Sequence, residues 1–326
     1  MRNFTILLTL LVALSCGGKK ASTNTATAKN VAVQFSADSA YAYIKAQTDF
    51  GPRVPNTKAH QDCAEWLAAK LSGFGATVHL QTFTAMTFDN TILNGTNIIG
   101  RINPDSPVRI IICSHWDSRP WADNDPDPAN WMKPVDAAND GASGVGVILE
   151  IARQLQKKSP GIGVDCIFLD AEDWGPGDDY QGDHSELYWG LGAQYWSRQK
   201  RQSSYRARYA ILLDMVGGKG AQFARELYSV RYGKQIVDKV WNTAATLGYS
   251  SLFKQSDGFY ITDDHYFINA IAQIPAIDIV PYLPDCESSS FGPTWHTTMD
   301  NISNIDKDVL EAVGKTLLTV IYNEKQ

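Results

Sequence analysis

Three short aliphatic and β-branched runs, 108–113, 164–169 and 209–213, constrain this chain most. Each is too short for a core helix and too apolar to leave one face in water, which predicts strands buried on both sides. A fourth run, 274–280, has the same character. Helical spacing recurs at 57–71, 141–156, 235–247 and 306–322, and 77–83 and 97–102 read as further strands. Strands and helices that alternate in this way predict an α/β fold. The expected architecture is a single domain with a mixed, mostly parallel twisted sheet flanked by helices.

The ionisable residues stand where these strands stop. Run 108–113 leads into Ser114-His115-Trp116-Asp117, 164–169 into Asp170-Ala171-Glu172-Asp173, and 209–213 into Asp214. Run 274–280 leads through a Pro-containing loop to Trp295-His296. Open α/β sheets bind ligands outside the carboxyl ends of their strands. Any one of these acids is explained as the cap of a following helix. Four strand ends, each with a carboxylate or an imidazole, argue instead for one shared site. Asp140, within Asn139-Asp140-Gly141-Ala142-Ser143-Gly144, is a fifth candidate. An N-cap is its plain structural reading, while the small residues behind it also let a helix approach the site closely.

Before the first helix, Arg2 precedes an apolar run at 4–14, which is of signal-peptide length and too short to span a bilayer. Ala13-Leu14-Ser15-Cys16-Gly17 resembles a lipobox, although Leu is usual where Ala13 stands. The expected organisation is a signal peptide over 1–15, a lipidated Cys16 with a polar tether over 16–34, and a catalytic domain over 35–326. A plain secretory signal cut near Ser15 is the alternative. Either way the mature chain is exported. With the anchor it is a lipoprotein facing the periplasm or cell surface, touching the membrane only through its lipid. The net charge of −6 includes no basic stripe, which argues against nucleic acid as a partner. Four cysteines remain beyond Cys16, and Cys113 and Cys166 fall inside the buried runs. Together with Cys63 and Cys286 they are expected as buried thiols and not as a disulfide framework.

His115-Trp116-Asp117, Asn139-Asp140-Gly141-Ala142-Ser143-Gly144, Glu172-Asp173, Asp214 and Trp295-His296-Thr297 occur in a characteristic order. In that order the chain resembles the zinc aminopeptidase-like exopeptidase fold from about residue 35 onward. The resemblance implies zinc ligands at His115, Asp140, Asp173, Asp214 and His296 in a two-zinc aminopeptidase, with Glu172 as general base. Two stretches resemble the animal-type glutaminyl cyclases more closely. In Ile261-Thr262-Asp263-Asp264-His265-Tyr266-Phe267, Asp263 stands where the aminopeptidases have serine. The second is Phe291-Gly292-Pro293-Thr294-Trp295-His296.

That second resemblance implies one zinc per chain, held by Asp140, Asp173 and His296. It implies a carboxylate network of Glu172, Asp214 and Asp263, and a pocket walled by Phe291 and Trp295. His115 and Asp117 become a second-metal or supporting pair. Animal cyclases have Glu where Asp173 stands, and the shorter arm changes geometry more than chemistry. The implied activity is a zinc-dependent glutaminyl-peptide cyclotransferase acting on peptides and proteins with N-terminal Gln. Two-zinc peptide hydrolysis and a non-catalytic binding protein are the competing readings.

Other features carry less weight. Of the loop aromatics Trp116, Trp121, Trp131, Trp174, Tyr188 and Trp189, most are expected to pack their loops, with Trp189 as a further substrate contact. Asp123, Asp125 and Asp127, and likewise Asp178, Asp179 and Asp183, read as solvated loop. His265 reads as a structural histidine and His184 as exposed.

Overall fold

Successive residues of the apolar runs point to opposite faces of one sheet, and both faces are covered. In the run 108–113, Ile110 and Ile112 enter one buried cluster while Ile111 and Cys113 enter another. The computed structural model describes residues 34–177 and 180–326 together with Met1. Cys16, the signal sequence and the tether up to residue 33 lie outside the described residues, as do Asp178 and Asp179.

In chain order the elements are α1 (Ala37–Thr48), α2 (Lys58–Gly73), β1 (Thr77–Met86), β2 (Ile92–Ile102), β3 (Arg109–His115), α3 (Ala142–Lys157), β4 (Gly163–Leu169), α4 (Leu191–Arg201), β5 (Ala210–Leu213), β6 (Phe223–Arg225), α5 (Leu227–Thr246), β7 (Phe253–Asp257), α6 (Asp264–Phe267), β8 (Ala276–Ile279) and α7 (Lys307–Asn323). The main sheet has the order β1-β2-β4-β3-β5-β8. β4, β3, β5 and β8 run parallel, and β1 and β2 form an antiparallel margin. β6 and β7 make a separate pair. Helices α1, α2, α3, α5 and α7 cover one face, while α4 and α6 cover the other. The architecture is therefore mixed α/β with a mostly parallel sheet, as expected. The described residues from 34 onward cluster as one compact unit.

The sequence pattern assigns no element to 37–48, 191–201, 223–225 or 253–257, yet each forms a helix or strand. Helix α1 docks on α3 because Gly146 leaves room: a Cβ there would come 2.6 Å from Cγ1 of Ile44. Gly144 does the same toward the sheet, where an added Cβ would meet the Leu213 carbonyl and Ser114 Oγ. Both neighbours are fixed by strands, so the helix must move to accommodate a methyl group. Gly144→Ala is expected to destabilise the fold by about 1–3 kcal/mol, the usual cost of overpacking, as measured by urea unfolding. Cys63, Cys113 and Cys166 are buried free thiols; Cys286 is also unpaired but only partly buried.

Candidate active site

Parallel strands β3, β4 and β5 end on one edge, where they deliver His115, Glu172-Asp173 and Asp214. Asp140 comes from the turn before α3, Asp263 begins α6, and Trp295-His296 lies in the loop before α7. A cavity of about 250 Å³ opens there. Asp140, Glu172, Asp173, Asp214, Asp263 and His296 all line it, and Trp189, Phe291 and Trp295 form its aromatic wall. Phe259 and Tyr260, which sequence analysis did not single out, also face it.

Two overlapping groups have the donors of a metal site. The ligand atoms of Asp140, Asp173 and His296 lie within 4.8 Å of one another, and so do those of His115, Asp140 and Asp214. In the first group His296 Nε2 is 3.2 Å from Asp173 Oδ1 and 3.8 Å from Asp140 Oδ2. The second oxygen of Asp173 is buried without a hydrogen-bond partner. Two carboxylates and one imidazole suit zinc, and three protein ligands leave a coordination position for substrate. In the second group His115 Nε2 is 2.9 Å from Asp140 and 3.2 Å from Asp214.

Backbone contacts hold these groups in place. Asp140 does not cap α3; Gly141 occupies that position without a side-chain cap. Instead the N–H groups of Asn139 and Asp140 donate to Asp300 at 2.8 and 3.0 Å. A Cβ on Gly141 would strike the His115 carbonyl and ring, so the turn reaches His115 only with glycine there. Asp117, fully buried, accepts the N–H groups of Glu172 and Asp173 at 3.1 and 3.2 Å. It also lies 3.4 Å from His115 Nδ1. Asp117 thus supports the site from behind and is not part of the cavity lining.

The electrostatics follow from crowding acids where water is scarce. Burial, reinforced by Asp263, drives the Glu172 carboxyl well above its ordinary range. Burial and then Asp214 raise Asp263 to about 6. Burial and then Asp173 raise Asp140 to about 6. Burial raises Asp173 too, but His296 and Arg119 outweigh it and hold that carboxyl below its ordinary value. A divalent cation beside these groups would favour the ionised carboxylates.

Asp263 does two things at once. One carboxylate oxygen accepts the N–H of Asp264 at the start of α6, as a helix cap does, while the other is buried without a partner. Behind it stands a layer that the sequence analysis largely missed. Asp278, from β8, is fully buried, both its oxygens lack a hydrogen-bond partner, and burial and then Asp263 push its carboxyl well above the ordinary range. His265 Nδ1 lies 3.6 Å from Asp278, and its Nε2 lies 2.9 Å from Glu226. His265 is thus a buried anchor of α6, and Asp264 is fully buried beside it. Asp278 carried a readable signal, an acid flanked by isoleucines inside an apolar strand. Glu226, Asp264 and Asp300 carried none.

The loop after β3 corrects one expectation. Asp125 is nearly buried and accepts hydrogen bonds from Thr298 and Asn130, and Asp123 lies 3.5 Å from His296 Nδ1. Asp125 is thus buried and Asp123 half-buried against the site, while Asp127 is exposed as expected; short-range sequence cannot show that this segment folds back on the 296–298 turn. His184 is exposed as expected. Trp116 is fully buried, stacked at 4.3 Å on His60.

Residues 97–321 match the family described as peptidase family M28. Among solved structures, Bacteroides thetaiotaomicron glutaminyl cyclase bound to N-acetylhistamine is 52% identical with a TM-score of 0.87; the match covers 90% of this chain and all of that one. A Zn-dependent exopeptidase from Parabacteroides distasonis is 47% identical, with a TM-score of 0.87 and the same coverage. Among curated proteins, the glutaminyl-peptide cyclotransferase of Boiga dendrophila is 22% identical over 245 residues. That match takes in 68% of this chain and 63% of the relative, less than two thirds of its length.

Proposed function

The chain belongs to peptidase family M28, and from that premise we propose that it is a glutaminyl-peptide cyclotransferase. It converts the N-terminal Gln of peptides and proteins to pyroglutamate with loss of ammonia. The observation that carries this reading is Asp263: a buried carboxylate lines the cavity with Glu172 at the place where hydrolases of this fold have serine. The 52% identity to a bacterial glutaminyl cyclase supports it, as does the resemblance of 261–267 and 291–296 to the animal-type enzymes.

The proposed metal is one zinc per chain, held by Asp140, Asp173 and His296. When bound, it supplies a Lewis acid for the side-chain amide oxygen of the substrate. The rest follows from the chain's own residues. The aromatic wall of Trp189, Phe291 and Trp295 excludes water and favours the folded-back glutamine, bringing its α-amine against its own amide carbon. As that C–N bond forms, Glu172 takes a proton from the amine nitrogen. It then returns the proton to the amide nitrogen, whose bond to carbon breaks as ammonia leaves. Asp263, with Asp214 and Asp278 close by, can share a proton with the carboxylates around it, and its unpartnered oxygen can accept from an N–H of the substrate amine without engaging the attacking lone pair. No external nucleophile enters, so no activated water is required.

Incubation with a Gln-initiated peptide and, separately, a Leu-initiated chromogenic amide tests the class. Ammonia from the first without cleavage of the second is the expected result; the reverse would make the protein an aminopeptidase. That second reading is favoured by the His115, Asp140 and Asp214 group, which has donors for another metal. Asp263 separates the two by mutation. Asp263→Asn is expected to lower cyclisation roughly a hundredfold with little change in zinc content. Asp263→Ser is expected to lose cyclisation without gaining hydrolysis, because removing a carboxylate builds no second metal site. If Asp263 served only as a cap, worth about 1 kcal/mol, both variants would turn over almost normally, since Asn and Ser cap well.

The proposed setting is the outer side of a membrane, with Cys16 carrying a lipid. Cys16→Ala is expected to move the protein from the membrane fraction to the soluble or unprocessed one. Unchanged fractionation would remove the anchor.

A further inference from the structure

One buried guanidinium connects the metal group to the pocket wall. Arg119, in the loop after β3, is 1% exposed. Its Nη1 donates to Asp173 Oδ1 at 3.2 Å and to the carbonyls of Asp173 and Gly175 at 3.3 and 3.2 Å. Its Nε and Nη2 fork onto the two oxygens of Asp123 at 2.7 and 2.5 Å. Asp123 Oδ1 in turn lies 3.5 Å from His296 Nδ1, on the ring edge opposite the nitrogen that faces Asp140 and Asp173. The guanidinium carbon also lies over two indoles, 5.2 Å from the Trp121 ring centre and 5.3 Å from that of Trp189. Trp189 lines the cavity and lies nearly parallel to the His296 ring at 6.3 Å.

A cation this close to a site for a dication is unfavourable unless its charge is balanced. Asp123 supplies that balance, leaving Asp140 and Asp173 to offset the metal. A fork of this kind fixes direction as well as charge, which a lysine ammonium would not do. Ligating histidines commonly give their second nitrogen to a carboxylate, which sets the tautomer and the ring orientation.

We propose that Arg119 and Asp123 are positioning residues of the metal centre. Asp123 holds the His296 ring with Nε2 toward the metal, while Arg119 holds Asp173 and the Trp189 wall in register. The inference rests on the zinc-bearing reading of the site but not on cyclisation. Zinc affinity is therefore the deciding measurement, and it can fail or succeed independently of the peptide assay.

Asp123→Ala, Asp123→Asn and Arg119→Lys would each be titrated with zinc against a competing chelator, with melting of the metal-free protein recorded alongside. Asp123→Ala is expected to weaken zinc binding about 10–100-fold. Asp123→Asn should fall between it and the parent, because an amide oxygen still accepts from Nδ1–H. Arg119→Lys keeps the charge but loses the fork. It is expected to weaken zinc about tenfold and to raise KM for a Gln-initiated peptide through the unsupported Trp189. A purely structural role would lower the metal-free melting temperature while leaving zinc affinity within about twofold of the parent, and that result overturns the proposal. Should Arg119→Lys fail to fold, Asp123→Ala decides alone, since the Asp123 side chain is 28% exposed and borders solvent.

Discussion

Glu172→Gln is expected to keep the fold and the zinc while losing about two to four powers of ten in turnover. The amide has nearly the shape of the acid and can still be held by its neighbours, but it cannot accept a proton from an amine. The backbone at 172 is fixed independently of the side chain, through the N–H bond to Asp117 at 3.1 Å, so the substitution leaves the turn in place. The pH profile gives a second readout. Burial and Asp263 raise the Glu172 carboxyl well above its ordinary range. A base must be ionised to act, so kcat/KM rises with pH as this group loses its proton and falls as pH drops through its titration. A bound dication shifts that limb toward lower pH without reversing its sign. In Glu172→Gln that contribution to the acid limb should vanish along with the rate. A variant with near-parental turnover would take Glu172 out of the chemistry.

His296→Ala is expected to lose metal and activity together. It removes the only nitrogen ligand of the Asp140–Asp173–His296 group and leaves two carboxylates facing each other. Lewis-acid stabilisation is worth several kcal/mol, and about 4 kcal/mol corresponds to roughly a thousandfold in rate. Elemental analysis should show zinc falling from one per chain toward none, with turnover falling in proportion to the metal lost. Retention of full zinc with normal turnover would move the metal to the His115, Asp140 and Asp214 group. Two tightly held zincs in the parent, both needed for turnover, would favour the aminopeptidase reading.

Legibility in the sequence differs from one residue to the next. Strand ends are easy to read, because an apolar β-branched run that stops at an acid marks both a buried strand and the edge where it emerges. His115, Glu172, Asp173 and Asp214 are legible in that way, and each stands at the edge of the sheet. His296 is reached only through a long loop after the last strand run, and Asp263 needs the comparison of short motifs, since its loop spacing says nothing about where it lands. Asp123 reads as solvated loop and Arg119 draws no notice, for polar residues among prolines look the same whether the loop points to water or folds inward. Helix α1 escapes assignment because its buried stripe is short, with only Ala40, Ile44 and Gln47 fully inward.

The periodicity of the sequence, by itself, determined the layered α/β architecture and the edge at which the chemistry would gather. That follows because side-chain alternation and helical spacing are local properties, set by neighbours a few residues apart. Which acids face one another was decided only by the tertiary structure. Asp117 beneath the Glu172 turn, Asp300 beneath Asp140, Asp278 behind Asp263 and Asp123 beside His296 are pairings between residues far apart in the chain or on separate elements. Their energies depend on burial and on distances of a few ångströms, neither of which is written in the order of the residues.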